Sequence, residues 1–246
     1  MQVEICANSF ESAQAAQNGG AHRIELCTEL AVGGLTPSHG LIEKIMHELK
    51  IPVHVLIRPR SGNFTYTTPE LDVMLRDIAY CKRLGCAGIV SGALNPDQNI
   101  AVKTLQKLVD AAEGMSFTFH RAFDWCTDPF AAMDKLLEMN IDRVLTSGQQ
   151  STAEKGLALL KELKTYSKGK IEIMPGSGIG LNNISQFIAG NFKTIHLSAS
   201  KKIQVLAHKP MVSMHSESLF EEGILSTSNV SLISEIVRVC NTSADN

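Results

Sequence analysis

The sequence predicts a single-domain α/β fold, a (β/α)8 or TIM barrel over residues 1–246, on three observations. Short apolar runs alternate eight times with amphipathic segments, which calls for a parallel sheet with right-handed helical crossovers. The length of 246 residues suits a fold that takes about 250. The turn after the first run, ANSFES from Ala7, lacks the glycine fingerprint of the competing doubly wound dinucleotide-binding sheet.

The runs read as strands are QVEIC from Gln2, RIELC from Arg23, VHVLIR from Val53, AGIVSG from Ala87, SFTFHR from Ser116, RVLTSG from Arg143, IEIMPG from Ile171 and TIHLSA from Thr194. Their Val, Ile and Phe content suits buried parallel strands. The first helix starts at a Ser9 cap and stops at Gly19-Gly20. Thr36-Pro37, Thr68-Pro69 and Asp128-Pro129 each place a capping side chain before a proline at the first helical position. Leu41, Ile42, Ile45, Met46 and Leu49 give the second helix its apolar stripe, and Leu71, Met74, Leu75, Ile78 and Ala79 do the same for the third. Residues 200–227 make a long connection of the kind that is either a functional lid or disordered, ahead of a last helix near 229–240.

Composition excludes several classes. With 44% hydrophobic residues, 20% charged residues and a net charge of -2, nothing in the electrostatics favours nucleic acid or an anionic membrane as partner. No apolar run approaches the roughly 20 residues of a membrane span, and Glu4 interrupts any signal-like start, so a cytoplasmic protein is expected. The six cysteines form no C-x-x-C pair, and free thiols are expected in that reducing compartment. Cys81, Cys86, Cys126 and Cys240 are read as structural, and Trp125, on the loop after the fifth strand, either covers the barrel mouth or packs.

Strand alternation sorts each run into two faces. If Val3, Ile5, Ile24, Leu26, Val53, Val55, Phe117, Phe119, Ile171, Ile173, Ile195 and Leu197 face the helices, the opposite parity points at the axis. That set is Gln2, Glu4, Cys6, Arg23, Glu25, Cys27, His54, Leu56, Arg58, Thr118, His120, Glu172, Met174, His196 and Ser198. Inward charges cost several kcal/mol each (about 3–5) unless paired, so they form a structural network, a functional site, or one of each at the two ends. Stability gathers at the N-terminal face and chemistry at the C-terminal face of such barrels. Gln2, Arg23 and His54 therefore suit the first role, and Cys6, Cys27, Arg58, His120 and His196 the second.

Two chemistries are open at that mouth. Cys6 and Cys27 end neighbouring strands at matching parity, and thiolates favour Cu(I) or Zn, with Met174 or a histidine to complete the shell. Alternatively, Glu25, Arg58, His120 and His196 supply acid/base catalysis on a small anionic or phosphorylated metabolite. The anion would rest on Arg58 and Arg60, on the turn Gly176-Ser177-Gly178 after the seventh strand, and on Ser198 after the eighth.

VEICANSFESAQAAQNGGAHRIELCTELAVGGLTPSHGLI, IPVHVLIRPRSGNFTYT, FTFHRAFDWCTDP, RVLTSGQ and IMPGSGI resemble, in order and spacing, the segments that mark the CutC family. The resemblance covers the first four-fifths of the chain and implies a (β/α)8 barrel, cytosolic copper handling and a homo-oligomer. It implies Cys6 and Cys27 as Cu(I) ligands, and marks Arg58, Arg60, His120, Arg121 and Asp124 as motif residues without an assigned role. The family's Gly-Gly-Asp-Phe turn reads Ser61-Gly62-Asn63-Phe64 here, which removes a carboxylate. Beyond Lys201 the resemblance fades, so nothing carries over to the tail.

Overall fold

A computed structural model describes residues 1–208, 211–212 and 224–242. The eight expected strands all form: β1 Gln2–Ala7, β2 Arg23–Leu26, β3 Val53–Leu56, β4 Gly88–Ser91, β5 Ser116–Phe119, β6 Arg143–Thr146, β7 Glu172–Pro175 and β8 Thr194–Leu197. They pair in parallel in the order β7-β6-β5-β4-β3-β2-β1-β8. A parallel bridge between Gly176 and His196 joins the two edges and closes the barrel. Around it run α1 Phe10–Asn18, α2 His39–Glu48, α3 Thr68–Leu84, α4 Val102–Ala111, α5 Pro129–Glu138, α6 Leu157–Tyr166, α7 Ile184–Ala189 and α8 Val230–Thr242. The fold is the predicted TIM barrel.

The helix starts hold with two corrections. Ser9 caps α1 by accepting from the Ser12 amide, and Asp128 caps α5 ahead of Pro129. At α3, however, the cap is Thr67, because Glu70 three residues on completes a reciprocal capping box, and Pro69 falls second in the helix. At α2 the cap is Ser38 rather than Thr36. Thr36 is drawn to the barrel instead, where its hydroxyl accepts from the Arg58 amide.

The long connection carries strands that the sequence reading does not assign. Its described ends form an antiparallel hairpin of β9 Ser200–Gln204 and β10 Ile224–Ser228, in register from Ser200 opposite Ser228. Residues 209–210 and 213–223, which the expectation for this connection also covered, lie outside the described residues.

The parity sorting is what positions the site. Val3, Ile5, Ile24, Leu26, Val55 and Ile195 pack between sheet and helices with little or no exposure. Cys6, Cys27, Leu56 and Val90 form a separate small cluster inside the barrel. Below them the interior is ionic: Glu4 is fully buried, bonded to Arg23 on β2 and to His196 on β8. Arg143, which the parity argument did not include, pairs with Glu172 at 3.1 Å and donates to Thr118 at 3.0 Å.

Two glycines on and after β4 make room for imidazoles. A Cβ on Gly88 would lie 2.7–2.8 Å from the His54 ring, and one on Gly92 would lie 2.7 Å from the His120 ring. Both rings are buried between strands and have little room to shift. Gly88→Ala is therefore expected to destabilise the fold by about 1–3 kcal/mol, read as a lower urea midpoint at unchanged slope. No change in the midpoint would show that His54 has room to move.

A candidate metal and ligand site at the barrel mouth

The C-terminal ends of the strands open on a cavity of about 490 Å³. Eight of the residues expected at a site line it together: Cys6, Glu25, Arg58, His120, His196 and Ser198, and Ser177 and Gly178 from the turn after β7. Arg60, Gly176 and Cys27 do not line it. Arg60 turns to the outside, pairing with Glu70 at 2.5 Å and donating to the Asn63 and Thr65 carbonyls, so it serves the α3 capping box. Gly176 is part of the bridge that closes the barrel, and a side chain there would strike Leu145. Cys27 lies behind Cys6, its sulfur 3.5 Å from the Cys6 sulfur, packed with Leu56 and Val90.

One corner of the cavity is a compact donor set. Cys6, Glu25 and His196 each offer one ligand atom, all within 4.8 Å of one another and all buried. Register explains the meeting: Cys6 is opposite Glu25 across β1–β2, and Glu4 is opposite His196 across β1–β8. The His196 Nδ1 sits 2.8 Å from Glu4 and 3.9 Å from Glu25. Met174, one candidate for completing a sulfur shell, instead faces Arg23, whose guanidinium lies 3.4 Å from its sulfur.

The charges follow from burial and neighbours. Burial pushes Glu25 up to about 7, aided by the Glu4 charge and opposed by His196. For Glu4 burial also acts upward, but the bond to His196 and the charge of Arg23 win and hold it well below the usual carboxylate range. Burial disfavours charged His196, yet Glu25, Cys6 and Glu4 together raise it well above its ordinary value. The Cys6 thiol is raised by its hydrogen bond with Cys27 and by burial.

The other corner is cationic and aromatic. Arg58 spans three loop carbonyls, at Val32 (2.7 Å), Gly34 (2.9 Å) and Gly62 (3.1 Å), and its guanidinium lies 4.9 Å from the Phe64 ring. Phe64 also packs on His120 and meets Trp125 edge-on. Trp125 lines the cavity, half-exposed at its rim. The His120 Nδ1 accepts from the Ala122 amide, so its proton is on Nε2. Burial, then the Arg58 charge, depress His120 to about 3.

Residues without a role assigned from sequence build the rim. Asp124 accepts from the Thr146 hydroxyl and from the amides of Ser147 and Gln149, tying the loop after β5 to the loop after β6. Arg121 pairs with Asp124 at 2.8 Å and lines the cavity. Leu30, Val32 and Ile179 supply apolar wall. The spacing of Arg121 and Asp124 on one short turn, Arg121–Trp125, was the available signal for the first two. Cys81, Cys86, Cys126 and Cys240 are buried free thiols away from this cavity.

Fold and site together define a TIM-barrel protein with a polar, sulfur-bearing pocket at the C-terminal mouth. The sequence model of the CutC family matches residues 1–201, and the chain belongs to that family. It is 45% identical over 200 residues to family protein CutC of Histophilus somni, covering 81% of this chain and 82% of the relative. With family protein CutC of Enterobacter sp. it shares 47% over 199 residues, 81% of this chain and 80% of the relative. Its fold matches the crystal structure of a CutC from Streptococcus agalactiae, named for a role in copper homeostasis, with a TM-score of 0.76 at 32% identity. That match covers 80% of this chain and 98% of the other. Among the described residues no helix is long and apolar enough to cross a membrane.

The neutral His120 yields a pH prediction. Its folded pKa lies below its unfolded value of 6.5, so acid favours the unfolded chain and stability is lost as pH falls from about 6.5 toward 3. His120→Phe fills a similar volume without a titrating group. Between pH 7.5 and 5 the wild type is expected to lose about 2 kcal/mol more than the variant in urea titrations. Equal losses would show that the ring is protonated in the folded state.

Proposed function

We propose that this chain is a cytoplasmic copper-handling protein that takes up Cu(I) as cargo at the barrel mouth, on Cys6 and His196. The observation that carries the reading is the buried convergence of Cys6, Glu25 and His196 within 4.8 Å. The donor set fits the ion: thiolate and imidazole are the ligands that Cu(I) prefers, whereas the Glu25 carboxylate is a harder group. The support behind the histidine fits too. A carboxylate on one ring nitrogen is the usual partner of a metal-binding imidazole, and Glu4 occupies Nδ1, which leaves Nε2 for the ion.

Cys27, the other ligand implied by the family resemblance, has its sulfur 3.5 Å from that of Cys6 and is the second sulfur within reach, although it sits behind the cavity wall. Glu25 then has a proton-handling part. The Cys6 thiol is raised and must lose its proton on binding, and Glu25, poised at about 7, is 4.0 Å from the sulfur. The S. agalactiae relative's name points to the same metal. Six cysteines buried as free thiols suit a reducing compartment.

The test is competition for Cu(I) between the reduced protein and a chromophoric Cu(I) chelator. Cys6→Ser and His196→Gln are each expected to weaken binding by at least about tenfold, an energy of about 1.4 kcal/mol. Uptake should also release the protons of the Cys6 thiol and of His196 Nε2, so affinity rises with pH. Affinity that survives the double change Cys6→Ser with Cys27→Ser ends the copper reading.

A further inference from the structure

A single ion leaves most of this mouth unexplained. A water molecule's share of liquid is about 30 Å³, while the cavity holds about 490 Å³. Its far corner, built on β3 and β5, has no part in the sulfur cluster. Seven buried side-chain polar atoms lack a hydrogen-bond partner among the described residues, and three of them, Glu25 Oε2, Arg58 Nε and His120 Nε2, belong to residues that line this cavity. Buried donors without partners are rare and costly in proteins, which makes such a group a mark of an absent ligand.

The charge at this corner is uncompensated. Arg58 is buried and bonds to backbone carbonyls, and it forms no ion pair with a carboxylate among the described residues. The neighbouring Tyr66 hydroxyl interacts with the Arg58 side chain, but burial pushes it up to about 12, so it remains neutral and offers no counter-charge. Beside the guanidinium, bridged by the Phe64 ring, His120 presents an unpartnered Nε2–H. Across the barrel, in the turn after β7, the N–H groups of Gly178 and Ile179 find no acceptor among the described residues. The apolar surface is aromatic: Phe64 and Trp125 both line the cavity.

We propose that the mouth cavity binds a small organic oxyanion, whose charged group lies against the Arg58 guanidinium and accepts from the His120 Nε2–H, and whose body rests on Phe64 and Trp125. Phosphate and carboxylate share that chemistry. The site differs from the anion site expected from sequence: Arg60 faces outward, and His120 takes its place beside Arg58. The proposal does not rest on the copper reading, because neither Cys6 nor His196 contributes a donor to it.

The lone tryptophan, Trp125, sits in the cavity wall and serves as reporter. Inorganic phosphate and benzoate are titrated into the whole chain at constant ionic strength set with chloride, read by Trp125 fluorescence and by calorimetry. A saturable response is expected; response to phosphate assigns a phosphorylated ligand, and response to benzoate alone assigns a carboxylate. His120→Phe removes the donor while keeping a ring in the space Gly92 leaves, and is expected to weaken binding about tenfold or more. Arg58→Lys is expected to weaken it as well, with circular dichroism reporting on the loops Arg58 ties.

Cys6→Ser should bind the anion as the wild type does, so the failure of one reading is told apart from the failure of the other. Absence of saturable binding of both probes by the folded wild type overturns the proposal. Undiminished affinity in His120→Phe does so too.

Discussion

The bond pair on Glu4 is the constraint on which the interior of this barrel depends. A carboxylate with no solvent exposure sits between Arg23 and His196, on the strands to either side of its own. Stripping water from such a charge costs far more than one ordinary hydrogen bond returns, and the cost is met only because two cationic partners reach it in good geometry. Removing one partner would leave an unpaired charge in the core. The same pair fixes what lies above it. By holding Nδ1 of His196, Glu4 sets the orientation of the imidazole at the floor of the mouth. By remaining ionised, it helps push Glu25 up to about 7, so two carboxylates on adjacent strands take different protonation states.

A division of labour along the axis follows. Toward the N-terminal ends of the strands the charges are paired, Glu4 with Arg23 and Glu172 with Arg143, although Glu172 Oε1, His54 Nδ1 and Thr194 Oγ1 have no hydrogen-bond partner among the described residues. Toward the C-terminal ends, Glu25 Oε2 and His120 Nε2 are likewise buried without hydrogen-bond partners among the described residues, and these two belong to residues that line the open cavity. A closed network rigidifies, while leftover donors and acceptors are available to a guest. Loops complete the open end. Arg58 stitches the segment after β2 to the turn after β3, and Asp124 stitches the loop after β5 to that after β6.

Much of this was legible because a strand's period of two is strict. Once Val3 and Ile5 are assigned to the helix side, Glu4 and Cys6 have nowhere to point but inward, and Cys6, Glu25, Arg58, His120 and His196 indeed line one cavity. The misreadings fall where no period applies. Arg60 follows Pro59 in a turn, and whether it faces the mouth or α3 depends on Glu70, ten residues away. Thr36 looked like a helix cap, but the barrel's need to anchor the Arg58 amide outbid the helix, and Ser38 capped it instead. Cys27 has the right parity yet sits just past the end of β2, where the chain turns its sulfur behind Cys6. The spacing of Arg121 and Asp124 on one turn pointed to a pair, but not to what Asp124 ties, because its partners, Thr146, Ser147 and Gln149, lie more than twenty residues on and become neighbours only through the closure of the sheet.

A metal ion and an organic anion at one mouth are electrostatically compatible. In the proposed copper uptake, Cu(I) replaces the proton of the raised Cys6 thiol and the Nε2 proton of His196, whose charged form Glu25, Cys6 and Glu4 favour. Two protons then leave for one cation, so the sulfur corner is less positive by one charge when loaded. The Arg58 charge is left as it was, still without a carboxylate partner among the described residues and still beside a neutral imidazole. An anion drawn to it lowers the cost of holding a cation a few ångströms away. On the two proposals, one corner of the cavity exchanges protons for a soft cation, and the other holds a fixed positive charge that no carboxylate among the described residues pairs with.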